Sequence, residues 1–279
     1  MRLRYLVLVV VLAVVIGVGV AFWRGSGPLP DPEGCTATSA GRTVQLDTEQ
    51  AENATLIAAV GVRRGLPARA VSIALATAYQ ESKIRNLSSG DRDSIGIFQQ
   101  RPSQGWGTPQ QIQDPVYSIN AFYDVLAKIE NYQTMRITEA AQKVQRSGYP
   151  EAYQDHAPDA RVLASVLTGY SQGGRFSCVV HEQTASGTGS RLVNQVKRAY
   201  GPIDVARTGT RQDVALTVSG DAGRRLGWSV AQFVVAHGVR LHPRTVSYDG
   251  KLWETGRRSE KGWTDGGRGT TTKVVIGMG

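Results

Sequence analysis

The chain of 279 residues has few of the residues that carry metal or redox chemistry: four histidines, two cysteines and three methionines. His156, His181, His237 and His242 form no HExxH or other close ligand pair, so no catalytic metal and no cofactor are expected. Neither cysteine sits near a His/Asn pattern, which argues against a cysteine nucleophile. Helix-turn-helix, zinc-finger and aromatic ribonucleoprotein signatures are missing, so no nucleic-acid partner is expected. There is no internal repeat, and nothing in the sequence fixes an oligomeric state.

What is present is basic. The net charge is +9 and is spread along the chain. With nucleic acid set aside, an anionic surface or wall polymer is the better partner. Residues 5–23 form an uncharged apolar run, preceded by Arg2 and Arg4 and followed by Arg24. Its length predicts a single-pass anchor for residues 1–24, with the bulk of the chain extracytoplasmic at a cell membrane. A cleaved signal peptide, giving a secreted protein, is the alternative. Cys35 and Cys178 agree with export. A disulfide between them would remove about 4–5 kcal/mol of unfolded-chain entropy; two unrelated thiols are the plain alternative.

Patterning predicts an α+β fold: the transmembrane helix, an α-rich domain, then a small α/β domain. Residues 25–46 read as a linker containing Cys35, with a Pro/Gly-rich spacer at 25–34. Residues 47–180 read as the α-rich domain. Asp47 and Gln50 form a capping-box pattern, Gly65 ends the first helix, and Pro67 opens the second. Asp114 and Pro115 start a third, and two more follow before residue 171. Between Ser88 and Trp106 the pattern is a long irregular loop, which in a compact domain is often functional. Residues 181–210 read as linker and helix. Residues 211–279 read as a small α+β domain with a hairpin at Asp249-Gly250.

One carboxylate is out of place. The apolar run 71–78 ends on Glu81, where the carbonyl end of the helix dipole disfavours negative charge. Glu81 shares its face with Ala74, Thr77 and Ala78, small side chains that let another segment lie close. Burial and the dipole would both raise its pKa, as a general acid requires. Lys83 and Arg85 would oppose this if they turned toward it. A solvated glutamate at a fraying helix end is the bland alternative.

Three short motifs surround that position: Glu81-Ser82, Gly96-Ile97-Phe98-Gln99 and Tyr170-Ser171-Gln172-Gly173. Together, over residues 50–175, they resemble the lytic transglycosylase branch of the lysozyme-like superfamily. The departures are Phe98 for Met and Ser171 for Asn. The resemblance implies that Glu81 protonates the glycosidic bond between N-acetylmuramic acid and N-acetylglucosamine in peptidoglycan. It would then act as base on the muramic C6 hydroxyl, giving a 1,6-anhydro product with one protein carboxyl. Tyr170 would orient Glu81, while Ser82, Gly96, Ile97, Phe98, Gln99, Ser171 and Gly173 would line the glycan site. A hydrolytic muramidase needs a second carboxylate, for which Asp91 and Asp93 lie on the right loop; both also fit as turn residues. A non-catalytic wall-binding or scaffold protein is the rival of another class. Trp106 could stack on a sugar or anchor its loop. Residues 145–153, with two tyrosines beside Pro150, could line the groove or pack a helix connection. Residues 211–279 loosely resemble the tail domain of some secreted actinobacterial proteins, similar to D-Ala-D-Ala peptidases but without their zinc histidines. Arg224, Arg225, Arg240, Arg257 and Arg258 would suit a wall polymer or lipid headgroups, or simply form a solvated face.

Overall fold

A computed structural model describes residues 2–23, 30–147, 149, 151–208, 213–218 and 223–278, without the side chains of 2–4, 6–8, 21–23 and 207–208. The chain divides into two compact units, Met1–Pro32 and Glu33–Gly279. The first holds helix α1 (Arg2–Trp23). Among the described residues no helix is long and apolar enough to cross a membrane. That overturns the expected transmembrane helix over 5–23 and the single-pass cell-membrane localisation. Arg24 and residues 25–29 of the expected spacer lie outside the described residues.

The second unit mixes helix and sheet. It begins with a hairpin where the sequence predicts linker: β1 (Gly34–Ser39) and β2 (Arg42–Leu46). Helix α2 (Thr48–Arg63) starts at a full capping box, Asp47 accepting from the Gln50 N–H and Gln50 from that of Asp47. Helix α3 (Ala68–Ser82) follows Pro67. Its residues Ala70–Ala78 are all buried, so this helix is enclosed on every face. Around it pack α2, α5 (Pro115–Leu126), α6 (Ile137–Gln145) and α7 (Ala157–Leu167), with the short α4 (Pro109–Gln113) leading into α5. Asp114 caps α5 and Pro115 opens it, as the sequence predicts.

Strand β3 (Phe176–Val179) then returns to β1, in the sheet order β2-β1-β3. Cys35 faces Cys178 directly across this antiparallel pair, and the two are joined in a disulfide. The closure ties off the helical region across a separation of 143 residues; in the loop-entropy account that is about 5 kcal/mol. Such a bond belongs to an oxidising compartment.

Next come α8 (Gly189–Tyr200), β4 (Asp204–Thr208), β5 (Asp213–Thr217), α9 (Gly223–Ala236), α10 (Gly238–Leu241), β6 (Pro243–Tyr248), β7 (Lys251–Glu254), β8 (Thr264–Asp265) and β9 (Lys273–Met278). The strands form one sheet in the order β4-β5-β9-β6-β7-β8, with every pairing antiparallel. This region is therefore α+β rather than α/β. Asp249 and Gly250, both at positive φ, make the β6–β7 turn that an Asp-Gly pair predicts. Helix α9 packs on β6 and also on α2, and a single hydrophobic cluster runs through helices and sheet. Gly227 permits this closeness: a Cβ there would lie 2.0 Å from the Tyr248 ring.

Candidate functional site

Helix α3 ends abruptly. Lys83 and Ile84 both adopt left-handed backbone, and their N–H groups return to the Tyr79 and Ala78 carbonyls. This turn throws the chain into the long irregular loop and leaves Glu81 in the last helical turn. Ser82, buried, anchors the loop: its hydroxyl donates to the Ile97 carbonyl at 2.7 Å. Gly96 sits at φ +80°, where a Cβ would press on the Ile112 carbonyl at 3.0 Å, so the position accepts only glycine.

The neighbours of Glu81 come from α6 and from the segment before α7. Tyr153, in a 3-10 turn over Ala152–His156, donates its phenol to Glu81 Oε1 at 2.7 Å and is fully buried. The Gln145 amide, at the end of α6, also hydrogen-bonds the carboxyl. The same amide donates through Nε2 to the Phe98 carbonyl at 2.7 Å, joining α6, the loop and the acid. His156 stacks on Tyr79 at 4.7 Å and contacts Gln80 Oε1 at 2.9 Å, clamping the start of α7 to the end of α3.

Burial raises the Glu81 pKa above its ordinary value; the hydrogen bonds from Tyr153 and Gln145 oppose the rise but do not cancel it. The cations that could have cancelled it face elsewhere. Arg85 pairs with Asp47 and, at 2.7 Å, with Glu49. Lys83 lies over the Tyr79 ring at 5.7 Å. Burial and the Glu81 charge push the Tyr153 phenol up, so it stays a proton donor. The result is a carboxyl whose pKa is raised, held between a phenol and an amide.

Several expected site residues lie elsewhere or play other parts. Tyr170 does not meet Glu81. It is 55% exposed, stacks on Arg225 at 4.4 Å, and lines a cavity of about 310 Å³ with Pro67 and Ala68. Those residues open α3, and Glu81 lies 13 residues on (81 − 68), about 20 Å along the axis. The tyrosine beside the acid is Tyr153. Ser171 bonds Ser39 and Ser165 through its hydroxyl, on the β1 side, and Gly173 serves a turn at φ +81°. Ile97 and Phe98 are fully buried, with Phe98 stacked on Phe122, so only their backbone can face a ligand. Gln99 folds onto its own loop, giving Nε2 to the Gly96 carbonyl and taking the Ser94 hydroxyl on Oε1. Trp106 is half-buried against the core.

Of the loop aspartates, Asp93 binds Arg101 Nε at 2.6 Å and both the N–H and hydroxyl of Ser103, which hold its carboxyl well below the usual range. Both of its oxygens are engaged. Asp91 stands in solvent, 3.9 Å from Arg92. Among the described residues, no group of three His, Cys, Asp or Glu side chains is placed to hold a metal ion. In the C-terminal region Arg224, Arg240 and Arg258 pair with Asp249, Glu52 and Glu254, which leaves less open positive charge than the sequence promised.

The chain matches no protein-family model, and no curated protein matches it significantly.

Proposed function

We propose that this protein cleaves the glycan strands of peptidoglycan by a lytic transglycosylase mechanism, with Glu81 as the acid and then the base. The observation that carries this reading is the Glu81 carboxyl itself: withdrawn from water, raised in pKa, and bonded only by neutral partners. Such a group keeps its proton to a higher pH than an ordinary glutamate and can give it to a glycosidic oxygen. The bond from that oxygen to the muramic C1 breaks, and the electron pair leaves on the oxygen. The Glu81 carboxylate then takes the proton of the muramic C6 hydroxyl, whose oxygen bonds C1. The ring closes as a 1,6-anhydro sugar, no water is consumed, and Glu81 ends protonated as it began. Tyr153 orients the carboxylate and steadies its charge between the two steps. Gln145 and Ser82 fix the loop against the acid.

Single-carboxyl chemistry is favoured over hydrolysis through Asp93, because both of its oxygens are engaged by Arg101 and Ser103. The disulfide supports an extracytoplasmic setting, where peptidoglycan lies. The test is digestion of purified peptidoglycan by the whole chain, read by mass spectrometry. Anhydro ends that vanish with Glu81→Gln are the expected result. Reducing ends would mean hydrolysis instead, and intact glycan with the protein bound to it would mean a binding protein.

A further inference from the structure

A cavity of about 300 Å³ between α2, α8 and α9 is lined by four side chains that have acceptors to spare. Asn53, on α2, gives Nδ2 to the Ile84 carbonyl at 2.8 Å. Asn86, on the loop after α3, gives Nδ2 to the Gln113 carbonyl at 3.0 Å, and its Oδ1 is buried with no hydrogen-bond partner. His237, between α9 and α10, bonds the Phe233 carbonyl through Nδ1 at 2.8 Å. A carbonyl only accepts, so each contact fixes its side chain: both amides keep Oδ1 free of the backbone, and the imidazole carries its proton on Nδ1. Burial pushes the His237 pKa down to about 4, so the ring is neutral and Nε2 is an acceptor. Among the described residues, neither Asn53 Oδ1 nor His237 Nε2 has a hydrogen-bond partner, although the two residues are only 8% and 5% exposed. Glu52 meets Arg240 through Oε2 and has no described partner on Oε1. Buried acceptors without donors are rare, and several on one wall point to a ligand that brings donors. The guanidinium groups of the same wall are matched already, Arg198 with Asp114 at 2.6 Å and Arg240 with Glu52. These acceptor types also ligate metals, but among the described residues no three His, Cys, Asp or Glu side chains are placed to hold one.

We propose that this cavity binds a primary ammonium group carried on a short apolar stem. An ammonium has three N–H donors and no acceptor, which matches Asn53 Oδ1, His237 Nε2 and the open Glu52 oxygen. Its charge strengthens each of those bonds. Leu56, Val116 and Phe233 make the rest of the wall apolar and suit the stem. The volume is at the small end of ligand pockets, which fits an amine of a few carbons rather than a polymer. Glu81 does not line this cavity, so the site stands whether or not the chain cleaves glycan.

The test titrates butylammonium and Nα-acetyl-lysine methylamide into the full chain by calorimetry. N-butylacetamide and the Nζ-acetylated lysine derivative serve as their neutral counterparts. Both ammonium probes should bind saturably, and acetylation should weaken binding by about tenfold or more, because it removes the charge and two of the three donors. His237→Phe, which keeps a flat buried ring without the acceptor, should weaken the Kd roughly three- to tenfold. The ¹⁵N resonance of His237 Nε2 should shift on saturation in the unaltered chain, a readout that holds even where the variant does not fold. Tighter binding of the lysine derivative than of butylammonium would identify a peptide side chain as the ligand, and the reverse a free small amine. No binding of either ammonium, equal binding of the neutral amides, or an unshifted Nε2 resonance would overturn the site.

Discussion

Glu52 and Glu81 are both glutamates withdrawn from water, and in both burial raises the carboxyl above its ordinary range. They differ in what meets the charge. Glu52, on α2 and 8% exposed, is paired with Arg240. It lines a cavity of about 300 Å³ where α2 faces α9. The neighbouring charges there are matched too, Arg198 with Asp114 at 2.6 Å and Arg85 with Glu49 at 2.7 Å. Burial pushes His237, in the same wall, down to about 4, so it is neutral. Glu81 has a phenol and an amide instead. A matched pair joins two elements; an unmatched acid has its raised pKa opposed only by neutral hydrogen-bond donors. Cavity volume is a poorer guide to chemistry in this molecule than the absence of a counter-ion.

The comparison breaks most sharply at the carboxyl. Glu81→Gln should cut peptidoglycan cleavage about 10³-fold or more, since a positioned acid and base contributes 10²–10⁴-fold in each role. Arg240→Met, which strips the other glutamate of its partner, should leave the initial rate within about twofold. Muropeptide release measured on both variants reads the contrast. A cation can also be brought to the site. Gln145→Lys should turn Glu81 into a second Glu52, with a Coulomb partner that lowers its pKa. The alkaline limb of kcat/KM should then move down by about one to three pH units, with a roughly 10- to 100-fold loss at neutral pH. A full pH–rate profile checks this, and an unmoved limb would mean that the limb does not report Glu81.

Much of the helical frame was legible because its signals are local. The Asp47/Gln50 capping box, Asp114-Pro115 and the Asp249-Gly250 turn each act within a few residues, and each stands where the sequence places it. Strands β1, β2 and β3 were not legible. They are short, and β1 gains one of its partners only from residues 176–179, far along the chain. The apolar run at the N-terminus illustrates the opposite failure: its composition reads as a span, whereas among the described residues no helix is long and apolar enough to cross a membrane. At the site, Glu81 betrayed itself by sitting at the wrong pole of a helix. Its tyrosine did not. The motif at 170–173 drew attention to one end of α3, whereas α7 runs back along that helix and brings the 3-10 turn before it, with Tyr153, to the other end. The tyrosines in residues 145–153 were the available signal, and groove lining and helix packing look alike until the chain is folded.

Stability supplies the smaller contrasts. Arg240→Met leaves Glu52 buried without its cation. Its carboxyl pKa should rise further and cost about 1–2 kcal/mol at neutral pH, less than for a fully buried pair because Arg240 is half exposed. The loss should fade below about pH 4, where Glu52 is protonated folded or unfolded. Glu81→Gln should have the opposite sign. A carboxyl whose folded pKa is raised stabilises fully below its unfolded value of about 4.3, and that contribution is lost as pH rises through the folded value. Glutamine never ionises and loses nothing, so the variant should be more stable than the parent by about 0.5–1 kcal/mol at neutral pH and equal to it near pH 4. Urea midpoints across that range, at constant m, measure both curves. Parallel curves for the two variants would mean that the two glutamates are alike after all, and that Glu81 is no better placed to hold a proton than Glu52.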